Sequence, residues 1–155
     1  MNLHPPRGNL PEYIKWVTSD ARHLPLDDSS FDIAFCNSLI EHLGDWESQL
    51  KAANEIKRVA PNYFVETPDK RFPIDPHLFT PFVHWFPKSV QRLIIRNFTT
   101  WGLVTRPTSE QIQSLLNEVR FLNKKGMAKL FPDADILTER FLGFPKSLIA
   151  IRKGV

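Results

Sequence analysis

A short apolar run, Phe31 to Cys36, constrains the fold of this chain more than any other feature. It contains one charged residue, Asp32, and turn-forming residues lie on both sides of it, Asp-Asp-Ser-Ser before and Asn-Ser after. A short apolar run bounded in this way is typical of a buried strand. Ligands of an open parallel sheet bind beyond the carboxyl ends of its strands. The polar side chains from Asn37 to His42 are therefore candidates for a functional site.

A helix and a second strand follow this run. Trp46 to Val59 repeats apolar residues at spacings of three and four, and Asp45 before it is a suitable N-cap. Pro61 ends the helix because proline cannot continue the hydrogen-bond ladder. Tyr63 to Thr67 is typical of a strand. A helix between two strands predicts a right-handed parallel crossover.

The remaining elements are predicted from the same periodicities. A strand is expected at Tyr13 to Val17, and Thr108 with Gln111 fits a capping box at the start of a helix. Two closely spaced apolar segments near the C-terminus predict a β-hairpin. The predicted helices span 88–98, 108–122 and about 127–131, and the hairpin strands span about 135–141 and 147–152.

Composition is that of an ordinary soluble globular protein. The chain has 155 residues, of which 42% are hydrophobic and 24% charged, and these values suit one domain. The net charge of +3 is too small an excess to indicate nucleic-acid binding, so no nucleic-acid partner is predicted. The single cysteine, Cys36, cannot form an internal disulfide, and we find no signal peptide and no bilayer-spanning apolar run. A cytoplasmic location is the prediction.

A set of polar and apolar residues recurs in a fixed order around the first strand. The set is Asp20-Ala21, Leu24-Pro25-Leu26, Asp28, Ser30-Phe31-Asp32 and Glu41-His42-Leu43. It resembles the middle motifs of class I S-adenosylmethionine-dependent methyltransferases, especially the type 11 branch. An ordered set of this kind is more specific than any single dipeptide.

The resemblance implies an α/β fold, a Rossmann-like three-layer sandwich with a mostly parallel sheet that ends in an antiparallel hairpin. The family's strand order is 3-2-1-4-5-7-6, and Tyr13 to Val17 and Phe31 to Cys36 would be the third and fourth strands. The family's Gly-rich turn and its first two strands have no counterpart before Tyr13, where the early glycine is Gly8. We therefore expect one partial methyltransferase domain over 1–155, incomplete at the N-terminus, with a cap insertion at about 68–106.

The cofactor site is implied by the resemblance alone. Asp20 would accept a hydrogen bond from the adenine amino group, and the backbone amide of Ala21 would donate to the ring. Leu24 and Leu26 would line the adenine slot, and Asn37 would border the methionine end. The alternative from the residues themselves is that Asp20 caps a turn and Leu24-Pro25 fills the core.

His42 is the candidate general base, because a histidine in a loop after a strand can take a proton near neutral pH. The alternative is that His42 hydrogen-bonds a backbone group. Glu41 is expected to be solvated or paired to a nearby base.

The proline-rich segment 68–87 is predicted to be an ordered cap, and its aromatic side chains are expected to be mostly buried or to line one pocket. Within it, His77, His84 and Trp85 are the candidate acceptor-binding residues. The alternative is that the two histidines pack against Trp85 and Phe86. The D-x-H-x6-H spacing that Asp75 forms with the two histidines matches no standard zinc pattern, so no metal site is predicted. A basic helix face follows, formed by Lys88, Arg92 and Arg96, and we expect it to be solvated. Contact with a membrane surface or an acidic acceptor is the alternative.

The function that the resemblance implies is methyl transfer from S-adenosylmethionine to a small-molecule or lipid acceptor, by a fragment or truncated form of a methyltransferase. This chain alone is expected to bind the cofactor weakly or not at all and to be inactive. The alternative is a non-catalytic, methyltransferase-like interaction domain. Strands lie about 4.8 Å apart, so the third and fourth strands would be separated by roughly 14 Å. We therefore expect a homo-oligomer or a partner that supplies the missing strands, and a closed, smaller sheet is the alternative.

Overall fold

The computed structural model describes residues 8 and 10–154, and within them four of the strands form one sheet. The sheet order is β1-β2-β6-β5, with β1 and β2 parallel and the other two pairs antiparallel. The strands are β1 (Ile33–Asn37), β2 (Asn62–Pro68), β3 (Ile74–Asp75), β4 (Thr80–Pro81), β5 (Asp135–Phe141) and β6 (Phe144–Arg152). This is the order that the resemblance implies for the family's fourth, fifth, seventh and sixth strands.

Four of the five helices in the described residues lie in segments predicted to be helical, although the last begins about three residues earlier than predicted, and the short helix Thr100–Thr105 was not predicted. The helices are α1 (Trp46–Val59), α2 (Lys88–Phe98), α3 (Thr100–Thr105), α4 (Ser109–Glu118) and α5 (Lys124–Leu130), with short 3-10 turns at Ile40–Leu43 and Val83–Trp85. The predicted bounds of α1 and α2 are confirmed. Asp45 caps α1 by accepting a hydrogen bond from the Ser48 amide at 2.7 Å. The capping box at Thr108 and Gln111 is also confirmed, although α4 ends four residues earlier than predicted.

The α/β class and the C-terminal hairpin are confirmed, and two details of the predicted sheet need correction. The sheet is mixed rather than mostly parallel, because β6 runs antiparallel to both of its neighbours. The strand predicted at Tyr13 to Val17 is not formed, and Tyr13 is 87% exposed. A strand persists only where another strand satisfies its backbone groups, and residues 13–17 have no such neighbour in the described part of the chain.

Helices cover one face of the sheet. The main core lies between the sheet and the helices α1 and α5, and its strand residues include Val65, Leu148 and Ala150, all fully buried. On the opposite face Ile33 and Phe35 are 62% and 71% exposed. Over the residues described, the third layer of the expected sandwich is therefore absent.

The proline-rich segment packs beside this core rather than on it. A second cluster joins Leu78 and Val83 of this segment to Ile95 of α2 and to Ile112 and Leu116 of α4. The prediction that its aromatic residues are mostly buried or line one pocket is wrong, because aliphatic side chains fill this cluster and four of the five aromatic residues are exposed without sharing a pocket. The exposed fractions are 68% for Phe79, 49% for Phe82, 49% for Trp85 and 48% for Phe86.

Candidate active site

Three histidines from distant parts of the sequence lie close together. His42 belongs to the 3-10 turn after β1, whereas His77 and His84 belong to the segment between β2 and α2. The Nε2 atoms of His42 and His77 are 3.1 Å apart, and the two rings meet edge to face. The ring of Phe121 contacts both His77 and His84. The structure thus joins the candidate base to two of the candidate acceptor-binding residues.

Asp75 lies between the other two histidines. Its carboxylate oxygens are 3.5 Å from His77 Nδ1 and 3.7 Å from His84 Nδ1. The backbone amides of His77 and Leu78 donate to Oδ1 at 2.8 and 3.1 Å. Burial by itself would raise the pKa of Asp75, but these hydrogen bonds outweigh it and the pKa is lowered. The residue is therefore a buried carboxylate beside both imidazole rings, at distances longer than those of a hydrogen bond.

His42 and His84 favour the neutral form. Burial and the neighbouring His77 lower the pKa of His42, and burial lowers the pKa of His84. The His42 side chain remains 40% exposed, so a ligand can reach it. A neutral imidazole offers one ring nitrogen that accepts a proton or binds a metal.

Glu41 is buried beside His42. Of the two environments expected for it, in solvent or next to a base, the structure shows the second. Thr67 donates a hydrogen bond to its Oε2 at 2.8 Å, and its Oε1 lies 3.9 Å from His42 Nε2. The side chain is 1% exposed, and burial raises the pKa of Glu41. Glu41 could be found from the sequence because it belongs to the motif Glu41-His42-Leu43. Phe121 belongs to no motif, so the sequence did not indicate its contact with the histidines.

A cavity of about 570 Å³ adjoins the cluster. His77 and His84 line it, and Trp85 does not. The Trp85 indole N–H instead donates to the Lys70 carbonyl at 2.8 Å. Other lining residues are Asp75, Phe86, Lys88, Gln91, Leu116 and Arg120. This mixture of apolar walls with a few charged groups suits a small polar molecule with an apolar part.

The segment predicted to bind adenine is tied to α1. The Leu24 amide donates to Glu55 at 2.7 Å, and Arg58 donates to the carbonyls of Leu24 and Leu26. The hydrogen bond from Arg58 lowers the pKa of Glu55 to about 2. The roles of Glu55 and Arg58 depend on a loop some thirty residues away, so the helix pattern around them does not predict these contacts.

The remaining candidate cofactor residues occupy three different environments. Arg22 engages the carboxylate of Asp20, with Nη2 2.6 Å from Oδ2, and the Arg22 amide donates to Oδ1 at 2.9 Å. These hydrogen bonds lower the pKa of Asp20. Ala21 packs against the main core, and Asn37 is exposed at the end of β1. In this structure Asp20 therefore caps a turn, which is the alternative to binding adenine.

The chain matches one known protein family over its first part. Residues 3–62 match the type 11 family model described as a methyltransferase domain. The resemblance to class I methyltransferases is confirmed over that segment. That segment includes the motif residues from Asp20 to His42.

Two solved structures of S-adenosylmethionine-dependent methyltransferases are similar to this chain. One, from Methanosarcina mazei, is 16% identical with a TM-score of 0.45, and the match covers 86% of this chain and 65% of that chain. The other, from Aquifex aeolicus, is 15% identical with a TM-score of 0.45, and the match covers 90% of this chain and 54% of that chain. The chain thus spans less than two thirds of the length of either protein. A search of curated proteins found no match.

Proposed function

We propose that this chain is part of an S-adenosylmethionine-dependent methyltransferase that acts on a small-molecule or lipid acceptor. The observation that carries the proposal is the family match over residues 3–62, which contains both Asp20 and His42. The cavity lined by His77 and His84 supports it, because it provides a place for an acceptor next to the candidate base.

Asp20, Ala21, Leu24, Leu26 and Asn37 are the proposed cofactor-binding residues. The cofactor supplies an activated methyl group on a sulfonium, so the protein must mainly align the reactants. Adenine must compete with Arg22 for the Asp20 carboxylate. We therefore expect weak cofactor binding by this chain alone.

His42 is the proposed general base. Its lowered pKa leaves the ring neutral at pH 7, so that Nε2 can accept a proton from an acceptor hydroxyl. An acceptor that enters between the rings replaces the contact between His42 and His77. Asp75 then holds His77 in place as a hydrogen-bonding partner for the acceptor oxygen.

Calorimetry with S-adenosylhomocysteine tests the cofactor part of the proposal. Asp20→Asn is expected to weaken binding about tenfold through loss of a charge-assisted hydrogen bond, whereas Arg22→Ala frees Asp20 and tightens binding. Asp27→Asn, an exposed carboxylate in the same loop, is the matched control and is expected to bind like the unmodified chain. Sub-micromolar binding by the unmodified chain, or equal binding by the two Asp variants, contradicts the proposal.

A non-catalytic interaction domain is the second candidate function. The exposed apolar side chains of Ile33 and Phe35 favour it, since such a surface suits a protein partner or a second copy of the chain. The absence of S-adenosylhomocysteine binding in every variant, including Arg22→Ala, would favour this function over methyl transfer.

Contact with a lipid surface is supported by a different patch. Lys88, Arg92 and Arg96 of α2 are exposed, and so are Leu93 and Phe98 of the same helix. Basic residues next to exposed apolar ones favour anionic lipid surfaces. Lys88 also lines the cavity, so a lipid acceptor could enter from this side. Sedimentation with anionic and neutral vesicles tests the contact, and equal binding to both would exclude an electrostatic attraction.

No helix in the described part of the chain combines the length and the apolar character needed to cross a bilayer.

A further inference from the structure

Glu41, His42 and His77 bring three metal-binding groups to one point. One carboxylate oxygen and two imidazole nitrogens lie within 4.8 Å of one another. The two Nε2 atoms are 3.1 Å apart, and Glu41 Oε1 is 3.9 Å from His42 Nε2. The sequence spacing gave no sign of this set, because His77 lies 35 positions after His42 and comes from a different part of the fold.

The spacing of the two imidazole nitrogens suits a tetrahedral transition-metal ion, and Glu41 Oε1 lies somewhat farther out, 3.9 Å from His42 Nε2. Zinc binds imidazole nitrogen at about 2.0–2.1 Å, so two nitrogens at tetrahedral positions lie roughly 3.3 Å apart. The observed 3.1 Å between the two Nε2 atoms is close to this value. A cation binds the lone pairs of both nitrogens at once, whereas a hydrogen bond uses only one of them.

A second set of groups holds these side chains in place. Asp75 Oδ1 lies 3.5 Å from His77 Nδ1, a nitrogen that has no hydrogen-bond partner among the described residues. Metal-binding histidines commonly present their other ring nitrogen to a carboxylate in this way. Thr67 holds Oε2 of Glu41 and leaves Oε1 on the side of His42. Both buried carboxylates are thus placed as a zinc site requires.

We propose that Glu41, His42 and His77 bind one divalent transition-metal ion of the zinc class. Two imidazoles with one carboxylate favour such an ion over Mg²⁺ or Ca²⁺, which prefer ligand sets made of oxygen. Three protein ligands leave the fourth position of a tetrahedral ion open. His77 also lines the cavity, whereas Glu41 and His42 are not among its lining residues, so an acceptor oxygen would reach that position from the side of His77.

The role proposed for the metal rests on the proposed methyl transfer. The proposal that the three residues bind a metal does not depend on it. Once a metal occupies both Nε2 atoms, neither histidine can take a proton there. The general-base role of His42 then belongs to the metal-free protein, and a bound metal would instead lower the pKa of an acceptor hydroxyl. A test of metal binding in the absence of cofactor separates the two proposals.

Titration of the chelator-stripped chain with Co²⁺ alone and with Zn²⁺ alone is the direct test. We expect one ion per chain, visible Co²⁺ absorption bands and competition between the two metals. His42→Ala, His77→Ala and Glu41→Gln are expected to weaken binding by tenfold or more, and Asp75→Asn by about 10- to 100-fold, the usual range for a carboxylate behind a metal-binding histidine.

The controls are His23→Ala, which removes an exposed histidine outside the cluster, and Cys36→Ala, which removes the buried thiol. Both should bind Co²⁺ like the unmodified chain. Histidine NMR on the unmodified chain gives the answer even if a variant does not fold, because Zn²⁺ must shift the Nε2 signals of His42 and His77. No binding, or Nε2 signals of these two residues that do not respond to Zn²⁺, overturns the proposal.

Discussion

The two faces of the sheet are built from the same strands, yet they differ in coverage. Side chains alternate along a strand, so adjacent residues point to opposite faces. On β1, Cys36 is 8% exposed, whereas its neighbour Phe35 is 71% exposed. On the hairpin, Leu148 of β6 is fully buried and Leu137 of β5 is 50% exposed. An apolar residue in a strand is therefore buried only where a helix covers its face.

The covered face also positions the candidate site. Gln49 of α1 donates hydrogen bonds to the backbone carbonyls of Ile40 and Arg120. These two bonds hold the turn that carries His42. Thr67 at the end of β2 holds Glu41. The open face carries none of the candidate site residues except Asn37, which lies at the end of β1. The covered face thus supports the candidate site, and the open face is available for association with another chain.

The largest expected difference between the faces is in thiol reactivity. Burial raises the pKa of Cys36 to about 12, so its thiolate is about a thousandfold scarcer at neutral pH than in a free cysteine. Alkylation of native Cys36 is expected to be correspondingly slow. Phe35→Cys in a Cys36→Ala background places a thiol one residue away on the open face and is expected to react quickly. Equal alkylation rates would show that the two faces are equally accessible.

Core truncation is the next largest effect. Leu148→Ala is expected to lower the free energy of unfolding by about 2–5 kcal/mol, because it removes a fully buried side chain between the sheet and its helices. Leu137→Ala, the same substitution on the neighbouring strand, is expected to cost about 0.5 kcal/mol or less. Urea unfolding measures both values. A large loss from Leu137→Ala would mean that the open face is covered in solution.

Association is expected to depend on the open face. Sedimentation at micromolar concentration should show a dimer or larger species, since an exposed strand edge and apolar face recruit another chain. Phe35→Asp is expected to give a monomer. Leu93→Asp, at an exposed apolar position on α2, serves as the matched control and should still associate. A monomer formed by the unmodified chain would refute this prediction.

The smallest effect concerns the loop tied to α1. The pKa of Glu55 is lowered in the folded state, so the stabilisation from its ionised form is present above its ordinary pKa of 4.5 and is lost as the pH falls toward about 2. Glu55→Gln is expected to cost about 1 kcal/mol at pH 7. The difference between the two proteins should shrink in acid, as urea unfolding at several pH values would measure. A difference that does not change with pH would assign the effect to packing rather than to charge.

Local elements can be predicted from this sequence, whereas the pairing of strands far apart in the chain and the burial of side chains cannot. The bounds of α1 and β5 are confirmed, because Asp45, Pro61 and the periodicity of the residues act within a few positions. The strand at Tyr13 to Val17 was wrong, because a strand depends on a partner as well as on its own pattern. The aromatic residues of the segment 68–87 were wrongly predicted to be buried for a related reason. Their burial depends on which other side chains fill the nearby core.

The sequence by itself determined α1, α2, the start of α4, the hairpin and the identity of the motif residues Asp20, Glu41 and His42. Propensity, capping and apolar periodicity are properties of neighbouring residues, and the ordered motif can be found without any coordinates. Only the tertiary structure decided that His42 meets His77, that Glu41 is buried beside them, and that one face of the sheet stays open. Each of these outcomes depends on contacts between residues far apart in the chain. Such contacts form when the elements pack together, and no local pattern records them.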